Sequence, residues 1–217
     1  NFYGQHIGIV VAETFEQATH AAKLIKVEYQ KRDGKTDFEK LAPSAVLPQG
    51  KELADLIRGD AKGSLKDAAV KVEETYETPI EHHHPMEPHS TVAVWEGENV
   101  ILYNGSQIIN GAQTAAAATL NLKPAQVRII SPFIGGGFGA KGGQWANLVL
   151  TAVAAKMANR PVKLALTRQQ MFDSVGMRQR NQQKISLGAT KDGKLISLAH
   201  ETTTHTAVDS EYIEPCG

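Results

Sequence analysis

Nine consecutive residues, Gly135-Gly136-Gly137-Phe138-Gly139-Ala140-Lys141-Gly142-Gly143, include six glycines. Glycine loses more conformational freedom on folding than any other residue, so a plain connection has no reason to concentrate it. Such density is needed where φ must be positive or where another group must reach the backbone closely. The flanks sharpen this. Val127 to Ile130 reads as a strand, and Gln144 to Met157 reads as a helix buried through Trp145, Leu148, Val149 and Ala152. A loop passing from strand to helix can aim several N–H groups at an anion. A tight turn without a ligand is the other reading of the same residues.

The rest of the chain alternates strand and helix patterns. Ile7 to Val11 is an apolar run that reads as a strand. Thr14 is a candidate N-cap for a helix carrying Phe15, Ala18, Ala22 and Ile25 on one face, and Val27 to Tyr29 reads as a second strand. From Gln30 to Lys66 turn residues dominate, with a brief helical pattern at Leu53 to Ile57, and this stretch is the candidate boundary. Val70, Val72 and Tyr76 alternate into a strand ending at Thr78. Thr91 to Trp95 and Val100 to Tyr103 flank the hairpin signal Glu96-Gly97-Glu98-Asn99. Residues 111–120 are alanine-rich and helical in pattern. Val162 to Leu166 follows the turn Asn159-Arg160-Pro161, and Lys184 to Ala189 pairs with Lys194 to Thr204 around Lys191-Asp192-Gly193. The expected fold class is α+β with antiparallel pairs.

Composition removes several function classes. The chain has 217 residues, with 23 Lys plus Arg against 23 Asp plus Glu, so it lacks the basic excess of a nucleic-acid binder. No apolar run reaches the roughly 18 residues that a membrane span requires. The single cysteine, Cys216, excludes an internal disulfide framework and a multi-cysteine metal site. The chain begins with Asn1 rather than Met, and the natural N-terminus is expected to have been removed together with any targeting signal.

Other motifs carry less. Gly137, Gly139 and Gly142 satisfy G-x-G-x-x-G, but Ser131 to Ile134 separate them from the strand that a dinucleotide fingerprint turns off directly. The strand after the helix runs into Arg168 rather than an acidic residue, which suits NADP at most. A Walker A loop fails because Lys141 is followed by Gly142. Glu81, His82, His83, His84, Glu87 and His89 could mimic a metal cluster, yet adjacent histidines on extended chain diverge. A buried polar turn is the favoured reading. Asp209 and Glu211 have no recognisable partner, and Cys216 reads as a quiet buried thiol.

Taken in order, these pieces resemble the molybdenum-binding large subunit of the xanthine dehydrogenase and aldehyde oxidase family. Residues 8–14, Gly-Ile-Val-Val-Ala-Glu-Thr, with the following helix and Val27-Glu28-Tyr29, are similar to its small α/β hammerhead domain. Arg58-Gly59-Asp60 and Thr75-Tyr76-Glu77-Thr78-Pro79 resemble the connection into the molybdenum domain. His84-Pro85-Met86-Glu87-Pro88-His89, Gly105-Ser106-Gln107, the loop Gly135 to Lys141, and the segment Asp173 to Arg178 follow in the family's order.

The resemblance implies a hammerhead-like part over residues 1–50, a connection over 51–69, and part of a mixed-sheet molybdenum-cofactor-binding domain over 70–217. It implies a molybdopterin-type molybdenum cofactor, with Gln107 donating its side-chain amide to an oxo ligand and the backbone of Gly136, Gly137, Phe138 and Gly139 lying against the metal and its dithiolene. No residue of the chain is expected to ligate the metal directly. The implied reaction is oxidative hydroxylation, above all of aldehydes to carboxylic acids. Electrons would pass to 2Fe-2S iron–sulfur clusters and FAD on partner domains or subunits, in the cytoplasm or the periplasm. Where xanthine-oxidising members place a substrate-binding glutamate after the loop lysine, this chain has Gly142, which faces the substrate pocket in this reading. The catalytic glutamate is expected beyond Gly217, so no catalytic residue is assigned within the chain. The alternatives are an NADP-binding oxidoreductase fragment and a non-catalytic scaffold of the same fold.

Overall fold

The computed structural model describes residues 4–31, 33–48 and 55–207. In chain order the elements are α1 (Phe15–Leu24), α2 (Phe38–Leu41), α3 (Ala61–Asp67), β1 (Val70–Thr78), β2 (Ser90–Glu96), β3 (Asn99–Asn104), α4 (Ile109–Leu120), β4 (Val127–Ile130), α5 (Ala146–Ala158), β5 (Val162–Ala165), α6 (Gln170–Asp173), β6 (Asn181–Ala189) and β7 (Leu195–Thr204). They divide into two compact units, Asn1–Gln30 with His82–Met177, and Lys31–Glu81 with Arg178–Gly217.

The first unit is built on a four-stranded sheet in the order β4-β3-β2-β5. β2 is antiparallel to both β3 and β5, whereas β3 and β4 run parallel and are joined through α4. Parallel neighbours need a crossover, and the alanine-rich segment supplies it. Alternation puts Thr91, Ala93, Val100 and Leu102 on the buried face, where they meet α4 and α5. Those helices present Ala116 and Ala117, and Ala152 and Ala155, so small side chains let the two layers approach closely. Trp95 closes one side, its indole N–H donating to the Ala152 carbonyl at 2.7 Å. Both helices end on an asparagine in the left-handed region, Asn121 and Asn159, which returns the chain to the sheet.

α1 begins as its sequence requires. Thr14 and Gln17 form a reciprocal capping box, although no residue of the helix is buried. The expected strands at residues 7–11 and 27–29 are irregular instead. A strand exists only by pairing, and among the described residues neither segment makes ladder hydrogen bonds. Ile7 and Tyr29 are accordingly exposed. The hairpin, β1, β4 and the last two strands are present where the alternation puts them, and β5 stops one residue early, at Ala165.

The second unit is an antiparallel sheet in the order β1-β6-β7. Its buried face carries small residues: Ser186, Gly188 and Ser197 lie under α3. A Cβ added to Gly188 would stand 2.8 Å from that of Ala68, so only glycine lets the helix settle there. Ser197 ties the two together by donating to the Ala61 carbonyl at 2.7 Å. Arg180 stacks over Phe38 and pairs with both Glu39 and Glu77. The helical pattern at 53–57 is absent from residues 55–57, and residues 53 and 54 lie outside the described residues.

Leu102 is fully buried at the centre of the first unit. Leu102→Ala should therefore destabilise the protein by about 2–5 kcal/mol, the usual range for a buried leucine truncation. A urea titration with unchanged slope and a lowered midpoint is the expected observation.

Candidate cofactor site

The glycine loop runs from the end of β4 to the start of α5 and doubles back on itself. Ala140 N donates to the Gly137 carbonyl at 2.9 Å, and Gly142 N to that of Gly139 at 3.0 Å. Gly136 and Gly139 have φ of +89° and +103°, so the density of glycine answers a backbone requirement. Phe138 also sits at positive φ, +54°, with its ring largely exposed. An aromatic residue is uncommon there and marks a constrained position.

Gln107 lies across this loop. Its backbone N–H donates to the Lys141 carbonyl at 2.8 Å. Its side-chain Oε1 accepts from Gly139 N at 3.0 Å and from Lys141 N at 3.1 Å. With the oxygen fixed by two donors, the amide orientation is set, and Nε2 has no hydrogen-bond partner among the described residues. A Cβ at position 137 would fall 2.5 Å from Gln107 Oε1. Gly137 is therefore the condition for Gln107 to lie where it does. The backbone N–H groups of Gly136, Gly137 and Phe138 are likewise without a partner among the described residues.

A third segment locks the loop from beneath. Glu87 accepts from Gly135 N at 2.9 Å through its carboxylate and returns its own N–H to the Gly135 carbonyl at 3.0 Å. The same carboxylate pairs with the ammonium of Lys141, whose side chain is 1% exposed. Burial pushes the Glu87 carboxyl up, but the Lys141 hydrogen bond and the Gly135 N–H outweigh it and hold the group below its ordinary value. Arg168 does not await a nucleotide phosphate. Its guanidinium donates to the carbonyls of Pro85 at 2.8 Å and Met86 at 2.7 Å, holding the segment that carries Glu87.

Neighbouring histidines part, as their adjacency predicts, whereas His82 and His84, two apart, meet the same ring. His82 and His84 rest on the ring of Phe172, with centroids 5.0 and 4.8 Å away, while His83 lies against Gly139. No group of three possible metal ligands occurs among the described residues. The reading of a buried turn holds for His89 and not for the exposed His82 and His84. His89 donates its backbone N–H to Met171 Sδ, and its Nε2 is buried without a partner. Burial, reinforced by the Lys141 charge, lowers its pKa to about 4. Asp209, Glu211 and Cys216 lie outside the described residues.

The site thus offers unpartnered donors among the described residues, three backbone N–H groups and one amide, on and beside a loop whose lysine is already paired. The molybdopterin cofactor-binding domain family matches residues 46–215, and the a/b hammerhead domain of aldehyde oxidase and xanthine dehydrogenase matches residues 1–33. The chain belongs to the molybdopterin cofactor-binding domain family. It is 39% identical over 200 residues to the aldehyde oxidoreductase molybdenum-binding subunit PaoC of Escherichia coli (strain K12), covering 92% of this chain and 27% of PaoC. It is 30% identical over 202 residues to the xanthine dehydrogenase of Oryza sativa subsp. japonica, covering 90% of this chain and 14% of that protein. The fold is that of the aldehyde oxidoreductase from Desulfovibrio gigas, with a TM-score of 0.77 at 22% identity, covering 89% of this chain and 22% of the other. The chain therefore spans about a quarter of PaoC, the more similar of these two relatives.

An electron-rich, anionic group suits this donor set, and the missing side chain at Gly137 is what leaves room for the Gln107 amide beside the loop. The residues present fit the family's cofactor. The sequence singles out the loop by its glycines and Gln107 by resemblance, and the structure brings the two together; the sequence alone does not pair Glu87 with Lys141 or show the part played by Arg168. The lysine inside the glycine loop was the available signal, and nothing local indicated a partner 54 residues away.

The depressed pKa of His89 has a defined consequence for stability. The folded protein holds the imidazole neutral down to about pH 4, whereas the unfolded chain protonates near 6.5. The contribution is complete above pH 6.5 and is lost as pH falls from there towards 4, at most on the order of 3 kcal/mol. Urea unfolding at pH 7.5 and 4.5 should show a smaller pH difference for His89→Phe than for the wild type, by about that amount.

Proposed function

We propose that this chain forms one wall of the cofactor site in a molybdenum hydroxylase that oxidises aldehydes to carboxylic acids. The observation that carries the reading is the fixed Gln107 amide, whose oxygen is consumed by Gly139 N and Lys141 N and whose Nε2 is left to donate. A molybdopterin cofactor bound there would supply the redox chemistry that amino-acid side chains lack. The chain's own part is to bind and orient. Gln107 donates one hydrogen bond, Gly136, Gly137 and Phe138 offer backbone N–H groups, and Gly139 holds Gln107 in place. Donors fixed before binding need no reorganisation, which is what makes such contacts effective.

Glu87 is a poor candidate for the general base, because its lowered pKa makes it a weak proton acceptor and Gly135 N and Lys141 occupy its Oε2. The base, like the 2Fe-2S clusters and FAD, belongs in this reading to parts of the protein outside these residues. The higher identity to PaoC than to the rice xanthine dehydrogenase supports an aldehyde substrate. So does Gly142, which offers no side chain to hydrogen-bond a purine edge. The division at residues 50 and 69 is part of the same proposal.

Two measurements test this. In the full-length protein, Gln107→Ala should lower kcat by on the order of 10–100-fold, the effect of losing a hydrogen-bonding group beside a metal. Unchanged kcat at full molybdenum content would remove Gln107 from the site. Assayed side by side, an aromatic aldehyde should give a higher kcat/KM than xanthine, because a missing polar contact can lower discrimination by several orders of magnitude. Equal values would overturn the substrate assignment.

A further inference from the structure

We infer that Glu87 is a positioning residue for the cofactor loop, fastening both of its ends through one carboxylate. The observation is a convergence within the first unit. Glu87 accepts from Gly135 N, at the loop's start, and from the ammonium of Lys141, six positions on at its end. Between these two points lie Gly136, Gly137, Phe138 and Gly139, the residues assigned to the cofactor, and the backbone of Lys141 also holds Gln107. Glu87 is fixed in turn, since Arg168 grips the two carbonyls before it, and Leu166 N, just after β5, and Met171 Sδ of α6 hold the backbone of His89. A chain of contacts therefore runs from Arg168 through residues 85–87 to the loop and to the Gln107 amide.

Positioning and mere stability make different demands on this pair. Lys141 is the buried member and the Glu87 side chain is 39% exposed, so it is removal of Glu87 alone that is strongly destabilising, because the buried ammonium is left uncompensated. Removing both charges together is often neutral for stability. A pair kept only for stability could thus be replaced by neutral groups at no functional loss. A pair that sets the separation of the loop's ends could not, since a neutral substitute folds but no longer fixes where the donors point.

The inference rests on the proposed cofactor site, and its test separates the two. The full-length protein is prepared in a host that makes the cofactor, as wild type, as the double variant Glu87→Gln with Lys141→Met, and as Glu87→Asp. Molybdenum per chain, unfolding temperature, kcat per bound molybdenum and KM are measured for each. The double variant should fold with an unfolding temperature near that of the wild type, retain under a third of its molybdenum, and lose roughly tenfold in kcat per bound metal with KM little changed. Glu87→Asp keeps the charge opposite Lys141 but shortens the reach to Gly135, so it tests the same point if the double variant does not fold. Its expected loss is about threefold. Wild-type molybdenum content and kcat in whichever variant folds would overturn the inference while leaving the functional reading intact. A wild-type protein that binds no molybdenum would sink that reading and this inference with it.

Discussion

The buried ammonium of Lys141 is the constraint around which the site is arranged. A charge with 1% of its side chain exposed is tolerable only beside a partner, and Glu87 is that partner. Satisfying it fixes more than one contact. Lys141 belongs to the glycine loop, Glu87 to the bend ahead of β2, and the Lys141 backbone exchanges hydrogen bonds with Gln107 just beyond β3. Three stretches of chain, separated by 20 to 54 residues in sequence, are thus obliged to meet at one point. Glycine density follows from that meeting: Cβ atoms at 135 and 137 would collide with Glu87 and Gln107.

The scaffold serves this junction by holding the strand ends still. β2 and β3 form a tight hairpin whose open end carries the segments leading to Glu87 and Gln107, and β4 runs parallel to β3 so that the loop leaves the sheet on the same side. Alanine-lined α4 and α5 cover one face, and close packing there leaves little room for the strands to shift. Thr91 adds a polar tie, donating to Asn104 at 2.8 Å across the hairpin while accepting from Asn147 of α5 at 3.3 Å. The proposed cradle of backbone N–H groups would have to be rigid in this way, because a hydrogen bond weakens steeply with small errors in distance and angle.

Family membership and geometry speak to different parts of the molecule. The matching families account for the order of the segments and for the fold, whereas the internal hydrogen bonds explain why individual residues occupy their places. Arg168 illustrates the difference. As a charged residue at the end of a strand it admits a nucleotide phosphate; in the structure its donors are taken up by two backbone carbonyls, and its effect on the site is mechanical.

The sequence by itself determined the local elements and the chemistry of the loop. Alternation in residues 70–78 and 91–103, the alanine run before residue 120 and the turn residues at 97 and 193 report near-neighbour geometry, which a linear pattern carries directly. The glycine cluster was legible for the same reason, since its residue type restricts what can lie beside it, whereas Gln107 was singled out only through the family resemblance of Gly105-Ser106-Gln107. Tertiary structure alone decided what pairs with what. Residues 7–11 and 27–29 have strand-like composition, yet a strand needs ladder hydrogen bonds, and among the described residues neither segment makes them. The Glu87–Lys141 pair, the grip of Arg168 on residues 85 and 86, and the seating of His82 and His84 on Phe172 with His83 against Gly139 depend on contacts between distant stretches of chain. Charge and burial select those contacts only after the sheet has brought the segments together, and so no local pattern announces them.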